Sequence, residues 1–89
     1  MRNPYLPCLA RVEWTRREAP DVKTISLTLL DGGMRFDPGQ VIMVSAFGFG
    51  EAAFGLAGPP GTVEFTFRKV GNVTSALFRA RKGDVLGVR

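Results

Sequence analysis

The 89-residue chain contains no histidine and a single cysteine, Cys8. Without histidine there are no imidazole metal ligands, no serine–histidine triad and no imidazole acid–base chemistry. One cysteine excludes an internal disulfide framework and a four-cysteine zinc or iron–sulfur site within the chain. No apolar run approaches the roughly 18–20 residues that a membrane span needs, and Met1-Arg2-Asn3-Pro4 does not read as a secretory signal. A soluble, cytoplasmic protein is the expectation. Repeats, low-complexity tracts and linkers are also lacking, so residues 1–89 read as one small domain. At this size folding buries only roughly 60–65% of the unfolded surface, and a ligand or partner can contribute a large share of the stability.

Negative charge is scarce in the last quarter. The net charge is +4, from 12 basic and 8 acidic residues. Acidic and basic groups nearly balance through residue 67, whereas residues 68–89 carry Arg68, Lys69, Arg79, Arg81, Lys82 and Arg89 against Asp84 alone. Such asymmetry suits a solvated basic face or attraction of an anion: a dinucleotide, an acidic redox partner or nucleic acid.

What is present is mostly alternation. Leu9 to Arg17 places Val12 and Trp14 on one face, and Val22 to Leu30 places Ile25, Leu27 and Leu29 opposite Thr24, Ser26 and Thr28. Both predict half-buried strands, parted by Glu18-Ala19-Pro20-Asp21 and closed by Asp31-Gly32-Gly33. Asp37-Pro38-Gly39-Gln40 has the order of a type II turn. The apolar run Val41 to Phe47 predicts a strand buried on both faces, with Phe47 in the core. Gly48-Phe49-Gly50 breaks it, and Ala53 to Ala57 suits a short following strand. After Gly58-Pro59-Pro60-Gly61, Val63, Phe65 and Phe67 alternate with Glu64, Thr66 and Arg68. One short helix is predicted from Val73 to Arg81, with Val73, Ala76, Leu77 and Ala80 as its apolar stripe and Asn72 or Thr74 as its cap. Val85 to Val88 begins a last strand, and the chain reads as cut there. The fold class is all-β: a small six-stranded antiparallel Greek-key barrel with one short helix, truncated at the last strand.

The segment joining the Val63–Arg68 strand to the helix carries the most chemistry. Arg68 and Lys69 supply cations, Val70, Gly71, Asn72 and Val73 supply backbone N–H groups, and Thr74 and Ser75 supply hydroxyls. Donors and partial positive charge at a helix start suit a phosphate group. Glu51 and Asp37 read as turn residues and Cys8 as a spare thiol in an N-terminal arm.

Taken in order, several motifs resemble the flavin-binding barrel of ferredoxin–NADP reductase-like enzymes. The likeness is strongest to sulfhydrogenase gamma subunits and the anaerobic sulfite reductase B subunit, with dihydroorotate dehydrogenase electron-transfer subunits more distant. The motifs are Asn3-Pro4-Tyr5-Leu6-Pro7, Asp37-Pro38-Gly39-Gln40, Phe47-Gly48-Phe49-Gly50-Glu51-Ala52, Gly71-Asn72-Val73-Thr74 and Gly83-Asp84-Val85-Leu86-Gly87-Val88-Arg89. The resemblance implies FAD, held by Phe54, Gly55, Leu56 and Ala57 at the ring and by Arg68 to Ser75 at the diphosphate. Ala52 and Gly55 depart from the family's arginine and hydroxyl positions. It further implies an NAD(P)H-binding domain beyond this chain, a redox partner with an iron–sulfur centre, and electron relay between the two. The 89-residue chain would not turn over NAD(P)H alone. Two other classes stay open: a flavin-free barrel that serves as an assembly module, and a nucleic-acid-binding barrel, the latter disfavoured because Phe47, Phe65 and Phe67 read as core.

Overall fold

A computed structural model describes residues 8–30, 36–37, 39–59 and 62–89. The expected motif at Asn3–Pro7 and the turn at Asp31-Gly32-Gly33 lie outside the described residues, as do Pro38, Pro60 and Gly61. Six strands form: β1 Cys8–Ala19, β2 Val22–Leu29, β3 Val41–Ala46, β4 Gly50–Gly55, β5 Val63–Arg68 and β6 Val85–Val88. One helix, α1, spans Asn72–Phe78 between β5 and β6.

The strands make one antiparallel sheet in the order β4-β3-β6-β1-β2-β5. β6 returns to lie between β1 and β3, the out-of-order insertion of a Greek key. The sheet's two terminal strands meet through a bridge between Ala57 and Glu64, with the Ala57 N–H 2.8 Å from the Glu64 carbonyl. The sheet therefore curls into the expected barrel. Among the described residues that bridge is the one backbone link across the β4–β5 seam.

Alternation set the inner face. Val63, Phe65 and Phe67 are buried as their spacing predicts, and so are Ile25 and Leu27 opposite them on β2. β3 behaves differently from its prediction. Ile42, Val44 and Ala46 are buried while Val41 is 66% exposed, because a barrel strand has one inner face. Phe47, expected in the core, lies past the end of β3 and is exposed.

β1 departs from simple alternation for a local reason. Val12 pairs with Leu27, but Trp14 pairs with Ser26, so Glu13 is an extra residue on β1. Such a bulge shifts the side-chain parity of everything that follows. Val12 is fully buried, Trp14 moves to the outer face with Arg16 5.2 Å over its ring, and Thr15 and Arg17 take the inner-facing register. The break after β1 is also tighter than expected, since Ala19 pairs with Val22 across Pro20-Asp21 alone. Cys8 is the first residue of β1 and is buried opposite Val88 rather than carried on an arm.

β6 is not an edge. It pairs with β1 on one side and β3 on the other, and the pairing continues through Arg89, whose backbone exchanges hydrogen bonds of 2.8 and 3.0 Å with Met43. α1 is shorter than predicted and ends at Phe78 with Arg79 as its C-cap. Its Leu77 and the following Ala80 enter the same core as the strands. Lys23 on β2 donates to the Phe78 and Ala80 carbonyls at 2.8 Å each, closing the helix end where no basic residue of the last turn does so. Partial burial, with Arg17 nearby, holds the Lys23 ammonium below its usual range.

Candidate functional site at the barrel seam

The predicted site residues fall on two sides of the β4–β5 seam. Phe54 projects from β4, half-buried, and stacks on Phe65 of β5 with ring centroids 4.8 Å apart and planes 27° from parallel. Phe67 lies 5.7 Å from Phe54 and 5.6 Å from Phe65, and Phe78 of α1 meets Phe67 edge-on at 6.4 Å. Four aromatic rings thus run continuously from β4 across the seam to the helix. The pairing Val22–Arg68 through Leu27–Val63 anchors β5, while Phe54 covers the part of the seam that no ladder closes.

The rest of the β4 segment divides between structure and surface. Gly55 is exposed, and a Cβ there would meet nothing within 4 Å, so a flat group could approach the backbone closely. Leu56 is buried and donates its N–H to the Gln40 carbonyl at 2.8 Å, so its side chain belongs to the core. Ala57 is exposed and carries the seam bridge. The turn before β3 forms as expected, with Gly39 at φ +85° and the Gln40 N–H 3.2 Å from the Asp37 carbonyl.

On the other side of the seam, Arg68 is exposed and pairs with Asp21 at 3.3 Å. Lys69 is exposed, its ammonium 5.2 Å from the centre of the Phe78 ring and its N–H bonded to the Asp21 carbonyl. Thr74 is the helix's N3 residue. Its Oγ1 accepts the Val70 and Gly71 N–H groups at 2.9 Å each, half of a capping box whose N-cap, Gly71, has no side chain to return. Two of the donors expected to face a phosphate are therefore satisfied internally. The N–H groups of Asn72, Val73 and Thr74 find no acceptor among the described residues. Ser75 is half-buried and its N–H closes the first helical turn onto Gly71. Val73 packs toward β4, where a Cβ on Gly50 would lie 3.3 Å from its Cγ2. The helix start thus neighbours the Gly50 end of β4, the end of the strand opposite Phe54.

Two features escaped the sequence. Glu51 is a β4 residue, not a turn residue, and grips Arg89 through two bonds of 2.6 and 2.8 Å while accepting the Ser45 hydroxyl at 3.2 Å. The Arg89 guanidinium holds the Glu51 carboxyl below the usual carboxylate range. The second is Phe78, ringed by Arg17, Lys23 and Lys69 at 5.2–5.6 Å. Nothing in the local pattern signals either, because the partners come from separate strands. No group of histidine, cysteine, aspartate or glutamate among the described residues could hold a metal ion. Nor is any helix among them long and apolar enough to cross a membrane.

No protein-family model matches the chain. Individual proteins do. It is 31% identical over 93 residues to sulfhydrogenase 2 subunit gamma of Pyrococcus furiosus, an alignment covering 98% of this chain and 32% of that protein. It is 31% identical over 83 residues to a probable dihydroorotate dehydrogenase B (NAD(+)) electron transfer subunit of Methanocaldococcus jannaschii, covering 93% of the chain and 30% of the relative. The protein of the same name from Methanocella arvoryzae is 34% identical, with 93% and 31% covered. The chain therefore spans about a third of the length of these relatives. Among solved structures, a ferredoxin NADP+ reductase from Neisseria gonorrhoeae with bound FAD and NADP superposes with a TM-score of 0.74. That match has 18% identity over 90% of this chain and 35% of the reductase, a likeness of fold. By sequence the chain is similar to about a third of these sulfhydrogenase and electron-transfer subunits, and by fold it matches about a third of the ferredoxin NADP+ reductase.

Proposed function

We propose that this chain is the flavin-binding barrel of an electron-transfer oxidoreductase, and that its cofactor is FAD. The observation that carries the reading is the half-exposed Phe54 ring, stacked on Phe65 at the open seam, together with the unpartnered N–H groups of Asn72, Val73 and Thr74 at the start of the helix that follows β5. A planar apolar group needs such an aromatic face, and a diphosphate needs such donors. Gly55 leaves the backbone beside Phe54 open to close approach. These residues fit FAD.

When bound, the flavin would supply two-electron acceptance from nicotinamide and one-electron delivery to a partner. The protein groups have positional and electrostatic tasks. Phe54 sets the ring plane, the helix start and Lys69 offset phosphate charge, and the Phe65–Phe67 stack keeps water from the ring's inner side. These residues are assigned no acid–base step. The nicotinamide would come from an NAD(P)H-binding domain, and the acceptor would be a redox partner with an iron–sulfur centre. The 89-residue chain alone is expected to show no NAD(P)H oxidase turnover above free FAD.

A thermal melt with FAD, FMN and ADP tests this. At 100 times the dissociation constant, binding stabilises by about 2.7 kcal/mol, a shift of roughly 10 °C or more for a domain this size. FAD should exceed FMN, and Phe54→Leu should cut the FAD shift while leaving the unliganded melt within a few degrees. The Arg68–Asp21 ion pair and the occupied Thr74 hydroxyl favour a second reading, a flavin-free scaffold. A cooperative melt unmoved by FAD would select it.

A further inference from the structure

Away from the seam, the β3–β4 turn presents two phenylalanines to solvent. Phe47 is 54% and Phe49 53% exposed, and Val85 beside them is 43% exposed. They border a cavity of about 400 Å³ whose lining includes the aliphatic Ala46, Ala76, Ala80 and Leu86. The turn that carries the rings is built, not frayed. The Phe49 N–H bonds the Ala46 carbonyl at 2.9 Å, and Gly48 and Gly50 adopt φ of +89° and +115°, conformations that L side chains rarely take. Rigid exposed aromatics over a recess have the anatomy of a binding hot spot rather than of a solvated loop.

The charge around the cavity selects among occupants. The Arg79 guanidinium lies 5.6 Å over the Phe49 ring, and Arg81 and Lys82 follow directly on the exposed surface. Neither Arg79 nor Arg81 forms an ion pair among the described residues, whereas Lys82 lies near enough to Glu13 to help hold that carboxyl low. Of the charged residues, Arg79 and Asp84 line the cavity, and Asp84 accepts the Arg81 backbone N–H at 2.8 Å, which ties its carboxylate to the turn after α1. A second copy of this chain would bring like charges together across a two-fold axis. A single-stranded nucleic acid would match the cations but leave the aliphatic floor without an apolar partner.

We propose that this cavity is a docking site for a partner protein segment that carries an aromatic or leucine-sized side chain flanked by carboxylates. The apolar side chain seats between Phe47 and Phe49 on the aliphatic floor, and the carboxylates meet Arg79 in the lining and Arg81 beyond it. The site is separate from the seam and does not depend on a bound flavin.

The test is amide NMR of the 89-residue chain titrated with two capped peptides, each holding a leucine and a phenylalanine, one flanked by glutamates and one by lysines. The glutamate peptide should shift the amides of 46–49, 76–80 and 84–86 and bind about tenfold or more tightly than its lysine counterpart. Phe49→Ser and Arg79→Glu should each abolish those shifts without changing the thermal melt, whereas Phe54→Leu should leave them intact. No saturable shift with the glutamate peptide, equal binding of the two, or shifts scattered over the barrel would overturn the proposal. So would tighter occupation of the same amides by oligothymidylate or by anionic phospholipid vesicles, or dimerisation that Phe49→Ser removes.

Discussion

Replacing Thr74 by valine isolates one hydroxyl at the junction of fold and candidate site. The substitution keeps the β-branched shape and removes the oxygen that accepts the Val70 and Gly71 N–H groups at 2.9 Å each. Both bonds are solvent-exposed, so water replaces much of what is lost. A helix cap is worth about 0.5–2 kcal/mol, and exposure places Thr74→Val near the middle, at about 1 kcal/mol. For a domain this size that corresponds to a fall of about 4–8 °C in Tm. Urea unfolding followed by circular dichroism gives the same quantity from the midpoint at constant m-value. Thr74→Ser, which retains the oxygen, should restore most of the loss. The reasoning fails if Thr74→Val unfolds at the wild-type midpoint, or if serine is as damaging as valine. Adding FAD extends the experiment. A hydroxyl that only caps the helix leaves the FAD-induced shift unchanged in Thr74→Val, whereas one that also reaches phosphate reduces it.

Two further outcomes follow from the geometry. Glu51 is held below the usual carboxylate range by Arg89, so the stability it contributes is present above that range and lost as pH falls through its lowered folded value. Glu51→Gln should lower Tm at neutral pH and flatten, but not abolish, its fall between about pH 6 and 3. Glu13, lowered by a Thr28 hydrogen bond, and Glu18, lowered by one from Arg16, supply the remaining slope. An acid slope identical to wild type would show that the clamp does not act on stability. Gly50→Ala meets both a φ of +115° and Val73 Cγ2 at 3.3 Å. It should destabilise by about 1–2 kcal/mol in urea, against a near-neutral Gly55→Ala control where a Cβ has open space; equal effects would refute the distinction.

Period-two alternation on β5 announced Val63, Phe65 and Phe67 as inner residues, because a half-buried strand must segregate its faces whatever it packs against. The short helix was equally legible from the i, i+3, i+4 stripe, and Thr74 from its place at the helix start. Local chemistry also marked Phe54 and the Arg68–Ser75 connection as one candidate site through their resemblance to a family motif. What stayed hidden depends on partners far along the chain. The Glu13 bulge, which turns Trp14 outward, is a mismatch between two strands and has no signature in either. Phe47 reads as the end of an apolar run, yet β3 stops at Ala46 and leaves it outside. Arg68 reads as a cation beside the helix start, and only the fold shows that the β1–β2 turn brings Asp21 to pair with it.

Sequence alone thus determined the β-rich class and the inner faces of the regular strands, both of which follow from periodicity over a few neighbours. Tertiary structure alone decided which donors and charges remain available. Sheet closure brings residues 38 apart, Glu51 and Arg89, into one ion pair, opens the β4–β5 seam beneath Phe54, and leaves Phe47 and Phe49 over a cavity. Register and barrel curvature are properties of strand pairs, so no single stretch of the chain encodes them.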